Sequence, residues 1–322
     1  MELPLPGSTE QNHIGSPQPS EGAGVQPAPL IAMPAPGENN VFFRVCPGSN
    51  KVIVFIHGIL SDSRGCWLRE STGTYWPALI CTDPLLNNFS IFLAGYKTSM
   101  DSGQAGIREA AEKVMNELTF SRDFKAVMDY QTIVLVGHST GGIVARYLIT
   151  ANLSRLRDKT LGLVLLASPS LGSRFANWLV LASKWFRNKL VQQLMIGDWS
   201  LEDLDDRFKA IKEHGEIPRL FGIEGYEQRP IFWIPLVPWI SNIVAKRSAA
   251  VYFAREELED TDHFTAAKPK DLRDAPHSLL VRFLRSRMGL ALRGEPVGKV
   301  IYPENSTGNI GVIVAETRAV LQ

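Results

Sequence analysis

The chain is short of cysteine, of net charge and of long apolar runs, and each shortage excludes something. Three cysteines (Cys46, Cys66, Cys81) among 322 residues are too sparse and too odd a set for a disulfide-stapled secreted fold. They favour a reducing compartment, and the expected location is cytoplasmic. Lysine plus arginine (34) nearly cancels aspartate plus glutamate (33), leaving a net charge of +1, so nothing marks a nucleic-acid partner. No uninterrupted apolar run approaches the ~20 residues that span a bilayer, and the opening MELPLPGSTEQ lacks the basic-then-apolar pattern of a secretory leader. The N-x-S/T triplets at Asn88, Asn152 and Asn305 therefore read as chance. HExxH, CxxC, the dinucleotide fingerprint and a Gly-Lys-Ser/Thr phosphate loop are all missing, so neither a metal nor a cofactor is expected.

What is present is an ordinary globular composition, 45% apolar and 21% charged. Residues 1–38 are the exception, rich in Pro, Gly, Ser and Gln. Such a stretch buries too little apolar surface to offset chain entropy and is expected to be a disordered tail. From 39 to 290 short apolar runs alternate with helical periodicity. KVIVFI (51–56), SIFLAGY (90–96), IVLV (133–136) and LGLVLLASP (161–169) read as strands covered on both faces, with VFFRVC (41–46) as an edge strand. IPRLFGI (217–223) and 248–253 read as the last two strands. Ile107, Ala111, Val114 and Leu118 form one face of a helix capped by Asp101 or Ser102, and another helix starts near Pro276. Strand–helix alternation implies a mostly parallel sheet with helices on both faces, an α/β fold. The aromatic segment 172–215 (Trp178, Trp185, Phe186, Trp199, Phe208) has no strand pattern. It suits a helical cap or helices anchored to the core equally well. Residues 291–322 form an extension of unreadable role.

The chemistry centres on VLVGHSTGGIV (134–144). A β-branched run enters a glycine-flanked turn at Ser139 and leaves as a helix, the GxSxG strand–turn–helix that presents a strained serine hydroxyl. Serine is a weak nucleophile without a base, and the base needs a carboxylate to fix its tautomer. In this architecture the order is serine, acid, histidine. His13 lies in the tail, His57 and His138 belong to loop motifs, and His214 precedes any acid position. His263 is the expected base, ahead of His277, which looks like part of a helix start. The acid belongs directly after the penultimate strand, which points to Glu224, with Glu227, Asp260 and Asp262 as alternatives. Oxyanion donors are expected from the backbone N–H of Thr140, at a helix N-terminus, and of Ile59, in the loop after His57-Gly58. The acidic run 198–206 lacks a metal-loop spacing and reads as a solvated helix face.

With these residues in place, the chain resembles the α/β-hydrolase superfamily, and within it the serine-active-site and DUF676 lipase-like hydrolases. The resemblance runs from about 51 to 269. It rests on VFIHGILSD with Trp67 after it, YWPALI, IVLVGHSTGGIVARYLI, LLASPSLGS, SAA at 248–250, and DHFTAAKP around His263. Thr140 departs from the Met or Leu that many relatives carry. The resemblance implies an α/β-hydrolase fold and esterase or lipase-like acyl hydrolysis on a small-molecule or lipid ester. A peripheral membrane contact is compatible with the apolar stretch 231–244, whose two internal prolines exclude a membrane helix; core packing accounts for it as well. The competing reading is a non-catalytic α/β-hydrolase-fold recognition or signalling module of a longer protein. Thioesterase or amidase action differs from the first reading only in the leaving group. Acyl length, head group and oligomeric state are not written in the sequence.

Overall fold

Short β-branched and aliphatic runs supply the strands of one central sheet. The computed structural model describes Met1 and residues 32–58, 61–96, 107–120, 125–168, 200–229 and 252–290. The chain divides into two units, Met1–Leu30 and Ile31–Gln322, and the second holds the sheet and the candidate site. In chain order the strands are β1 (Val41–Arg44), β2 (Lys51–Ile56), a small separate hairpin of β3 (Leu68–Arg69) and β4 (Thr74–Tyr75), β5 (Ser90–Ala94), β6 (Thr132–His138), β7 (Thr160–Leu166), β8 (Leu220–Glu227) and β9 (Arg255–Leu258). The described helices are α1 (Trp76–Thr82), α2 (Ile107–Thr119), α3 (Thr140–Ala151), α4 (Leu153–Leu156), α5 (Ser200–Glu213) and α6 (Ala275–Arg282).

The sheet order is β1-β5-β2-β6-β7-β8-β9. Among the described strands of this sheet, β1–β5 is the one antiparallel pair. The β2 sequence explains why a near-continuous apolar run works as a strand here. Val52, Val54 and Ile56 join a core cluster with α2, α3 and α5, while Ile53 and Phe55 join the opposite cluster with Trp76 of α1 and Leu279 of α6. Both faces are dry, so alternation of polar residues would be costly. Parallel pairing brings Ile56 level with Gly137, and Leu166 level with Gly225. The carboxyl ends of β2, β6, β7 and β8 therefore share one rim, where open α/β sheets place their ligands.

Several expectations shift. Strand β8 begins at Leu220 and continues to Glu227, rather than spanning 217–223. The last described strand is Arg255–Leu258; of the expected strand 248–253, Tyr252 and Phe253 form a buried bend before it, and 248–251 lie outside the described residues. Of the expected tail, residues 32–38 are described. Pro34 is buried, the Gly37 N–H donates to Asp62 Oδ2 at 2.7 Å, and Asn39 Oδ1 accepts from the Ser63 hydroxyl at 2.6 Å. Residues 34–39 thus lie against the loop after β2, a contact that Pro and Gly content does not reveal. Of the expected cap, α5 is described, and its Leu204, Phe208 and Ile211 are buried in the core beside α3. Residues 169–199, with Trp178, Trp185, Phe186 and Trp199, lie outside the described residues. So do the Asp101/Ser102 cap, the 231–244 stretch, the SAA motif and the 291–322 extension.

Candidate active site

Ser139 sits between the end of β6 and the first turn of α3, at φ 55° and ψ −125°. A non-glycine residue at positive φ is strained by about 1–3 kcal/mol, and the surroundings hold it there. Its N–H donates to Leu166 O at 2.9 Å, locking the turn to β7. The glycines are required by close approach. A Cβ on Gly141 would stand 2.2 Å from the carbonyl oxygen of Ile56, and one on Gly137 would stand 2.6 Å from Gly142 Cα. No side chain fits either position, which is why the turn can be this tight.

His263 arrives from the loop after β9. Asp262 shapes that loop: its Oδ1 accepts the N–H groups of Phe264 at 2.9 Å and Thr265 at 2.8 Å. Burial alone raises the Asp262 carboxyl, but these donors, with the Thr265 hydroxyl and nearby His263, outweigh it and hold the group below its usual range. The His263 Nε2 reaches the Ser139 Oγ at 3.1 Å across 124 residues of sequence.

The carboxylate beside the other face of that imidazole is Glu227, with Oε1 3.7 Å from Nδ1. Burial pushes the Glu227 carboxyl up, yet hydrogen bonding and charge from His263 prevail, and it titrates below the ordinary glutamate. Glu224, the acid expected from the sequence, is not brought to the imidazole. Its Oε1 accepts the N–H groups of Tyr252 and Phe253, each at 3.2 Å, and Oε2 lies 3.7 Å from Arg255. The reason is strand length: β8 runs on past Glu224, and the carboxylate at its end is Glu227. Asp260 faces outward in an exposed ion pair with Arg229 at 2.8 Å.

His277 also lies elsewhere. In α6 its Nε2 faces Asp83 Oδ2 at 2.9 Å, while its Nδ1 accepts from Trp76 Nε1–H at 3.2 Å. Accepting at Nδ1 requires the proton on Nε2, so this is a neutral ring donating to Asp83. Burial pushes His277 below the usual histidine value despite Asp83. The ring of His57 stacks on Tyr96 at 4.9 Å and donates from Nδ1 to the Gly58 carbonyl at 2.9 Å. It too is pushed down by burial.

Of the expected oxyanion donors, Thr140 occupies the first position of α3, and its hydroxyl lies 3.3 Å from Tyr96 OH. Tyr96 OH in turn donates to the His57 carbonyl at 3.1 Å, tying the loop after β2 to the elbow helix. Ile59 lies outside the described residues. Among the described residues no group of three or more His, Cys, Asp or Glu is placed to hold a metal ion. Nor is any described helix long and apolar enough to cross a membrane.

Sequence reasoning placed His138 in a loop motif and did not anticipate its contact with the His263 loop. It precedes the serine, is 7% exposed, and its Nε2 lies 2.7 Å from the backbone carbonyl of His263. No local pattern announces a contact between residues 125 apart.

The family described as "Putative serine esterase (DUF676)" matches residues 48–209. No curated protein sequence matches. Similar solved structures include the Bacillus licheniformis lipase BlEst2 in mature form, at 16% identity over 77% of this chain and 98% of that one, TM-score 0.46. A thermophilic esterase from Thermogutta terrifontis shares 15% identity over 74% of this chain and 89% of that one, TM-score 0.37. Phospholipase PlaB from Legionella pneumophila shares 17% over 56% and 40%, TM-score 0.39. The family match takes in the loop after β2, the serine turn and half of the chain, and the turn sits on a parallel sheet of α/β-hydrolase type. The chain therefore belongs to the DUF676 family.

Proposed function

We propose that this protein cleaves carboxylic esters, lipid esters among them, through an acyl-enzyme on Ser139. The observation carrying this reading is the 3.1 Å approach of His263 Nε2 to Ser139 Oγ at the end of a strained turn. In the proposed reaction Oγ attacks the acyl carbonyl carbon as its proton passes to His263 Nε2. The carbonyl π electrons move onto oxygen, where the backbone N–H groups of Thr140 and Ile59 stabilise the charge. Collapse expels the alcohol, which takes the proton from His263. Water, deprotonated by the same ring, then releases the acid and restores Ser139. Glu227, in place of Glu224, orients the ring and offsets the positive charge it acquires. The hydrolase domain then comprises residues 32–290.

A fluorophosphonate probe tests this directly. It is expected to label the wild type and to leave Ser139→Ala unlabelled. Ser139→Ala is also expected to lower ester turnover by about 10⁶, the effect of removing a triad nucleophile. Near-normal hydrolysis by that variant overturns the assignment, and an unlabelled, inactive wild type favours a non-catalytic recognition module.

A further inference from the structure

Beside the reacting pair lies a second imidazole that the proposed reaction does not use. His138 is buried between the loop after β2, Trp67 and the His263 loop. Its ring centroid lies 5.0 Å from that of His263 and 6.4 Å from that of Trp67. Its two nitrogens have different partners. Nε2 meets the His263 carbonyl oxygen at 2.7 Å, and Nδ1 meets Cys66 Sγ at 3.5 Å. A carbonyl only accepts, so the proton must be on Nε2. Nδ1 is then a lone pair, and the Cys66 thiol is its donor.

We propose that His138 is a positioning residue, a neutral Nε2–H ring that holds the backbone of His263 so that its imidazole meets Ser139. The proposal rests on the hydrolase reading above. Three observations converge on it. The first is connectivity. His138 is the last residue of β6 and adjoins Ser139, so one rigid strand end carries both the nucleophile and the donor that fixes the base. The loop bearing His263 is shaped within by the Asp262 turn and the short helix Thr265–Ala267, and is tied at its flanks by the Arg229 N–H to the Thr261 carbonyl and by Arg69 to the Lys268 carbonyl, each at 2.9 Å. A bond from His138 links that loop to the nucleophile strand at the residue that matters.

The second observation is the shape of the site. A Cβ added at Gly58 would lie 3.2 Å from the His138 carbonyl oxygen and 3.5 Å from its Nδ1, so the ring and the loop after β2 are packed closely. The donor direction of the ring is set by the partners on its two nitrogens. The third is charge. Burial, with His263 next, pushes His138 down to about 3. Burial likewise pushes the Cys66 thiol up to about 12, keeping it an S–H donor. A cation at 138 would face the positive charge that develops on His263 at 5.0 Å. At an effective dielectric constant near 20 that repulsion is about 3 kcal/mol, so a neutral ring is the form compatible with proton uptake by His263.

Two substitutions separate positioning from mere packing. His138→Leu keeps apolar volume and removes the donor. His138→Gln places an amide N–H about as far from Cα as Nε2 is in histidine and restores it. On a chromogenic ester, kcat is expected to fall roughly 10–100-fold in His138→Leu, with KM little changed, since a shift near 1 Å of a reacting group has effects of that order. His138→Gln is expected to recover most of the loss. Equal kcat in wild type and His138→Leu overturns the proposal, as does a loss in His138→Leu that His138→Gln leaves uncorrected.

A readout independent of turnover keeps this distinct from the hydrolase reading. In ¹⁵N-histidine-labelled protein, His138 is expected to show a pyrrole-type Nε2 and a pyridine-type Nδ1. The His263 ring signals are expected to move in His138→Leu and to return in His138→Gln. A protonated His138, or His263 signals indifferent to both changes, overturns positioning even if the protein hydrolyses esters. A protein that shows these signatures but no fluorophosphonate labelling retains the held ring and loses the enzyme.

Discussion

At the scale of single residues, Glu224 and Glu227 divide two jobs between them. Glu227 stands 3.7 Å from His263 Nδ1, while Glu224 fastens the bend at Tyr252 and Phe253 through two backbone N–H groups. The two carboxylates should therefore fail differently. If the proposed reaction holds, Glu227→Gln keeps shape but removes the charge that steadies the imidazolium, and a kcat loss of about 10⁴ is expected. Its unfolding midpoint should move less than that of Glu224→Ala. Glu224→Ala removes the acceptor of two buried N–H groups, each such loss costing about 1–3 kcal/mol. Its urea midpoint should fall while kcat measured on folded protein stays within a few-fold. Reversed outcomes, with Glu224 governing kcat, would restore the acid expected from sequence. Both glutamates were readable as candidates. Choosing between them required the end of a strand, and Gly225 and Tyr226 carry no stop signal that would mark it.

At the scale of elements, legibility tracked how much of the outcome is decided locally. β2 coincides with its apolar run, and the serine turn was visible because glycines are demanded within five residues of the strained position. Tyr252 and Phe253 look like strand residues, whereas Glu224 and α5 hold them as a bend. α5 shows the same limit from the other side. Its acidic stretch reads as a solvated face, yet Asp205 is buried and bonded to Arg146 of α3 at 2.5 Å, with Tyr252 OH completing the group. Burial raises the Asp205 carboxyl, against the pull of Arg146. The pair joins the elbow helix to α5, with side chains only 2% and 7% exposed. Removing one partner of a buried pair costs about 3–5 kcal/mol, because the remaining charge keeps its desolvation. Asp205→Ala is accordingly expected to lose that much in urea denaturation, and Tyr252→Phe about 1 kcal/mol. Equal, small losses in both would mean that water enters and the helices are held by apolar packing alone.

At the scale of the whole molecule, burial of neutral histidines should make this fold acid-sensitive well above the carboxylate range. His57, His138 and His277 are all pushed below the ordinary 6.5, in each case chiefly by burial. In the unfolded chain these rings bind protons near 6.5, while in the folded protein they resist. Unfolding therefore takes up protons, and stability that is complete above pH 6.5 declines as the pH falls below it. Each ring contributes a slope of at most about 1.4 kcal/mol per pH unit, and His138 sustains its share down to about 3. Glu227 and Asp262, held below their ordinary values, add to the loss only where carboxylates titrate. Asp205 opposes it there, since its raised carboxyl gains a proton more readily when folded. Urea denaturation at pH 7.5, 6 and 5 should show the midpoint falling across this interval, with a shallower fall in His138→Gln by about one proton's worth of slope. A midpoint that stays level from pH 7.5 to 5 would mean that these rings accept protons in place, and the neutral His138 on which the positioning of His263 depends would go with it.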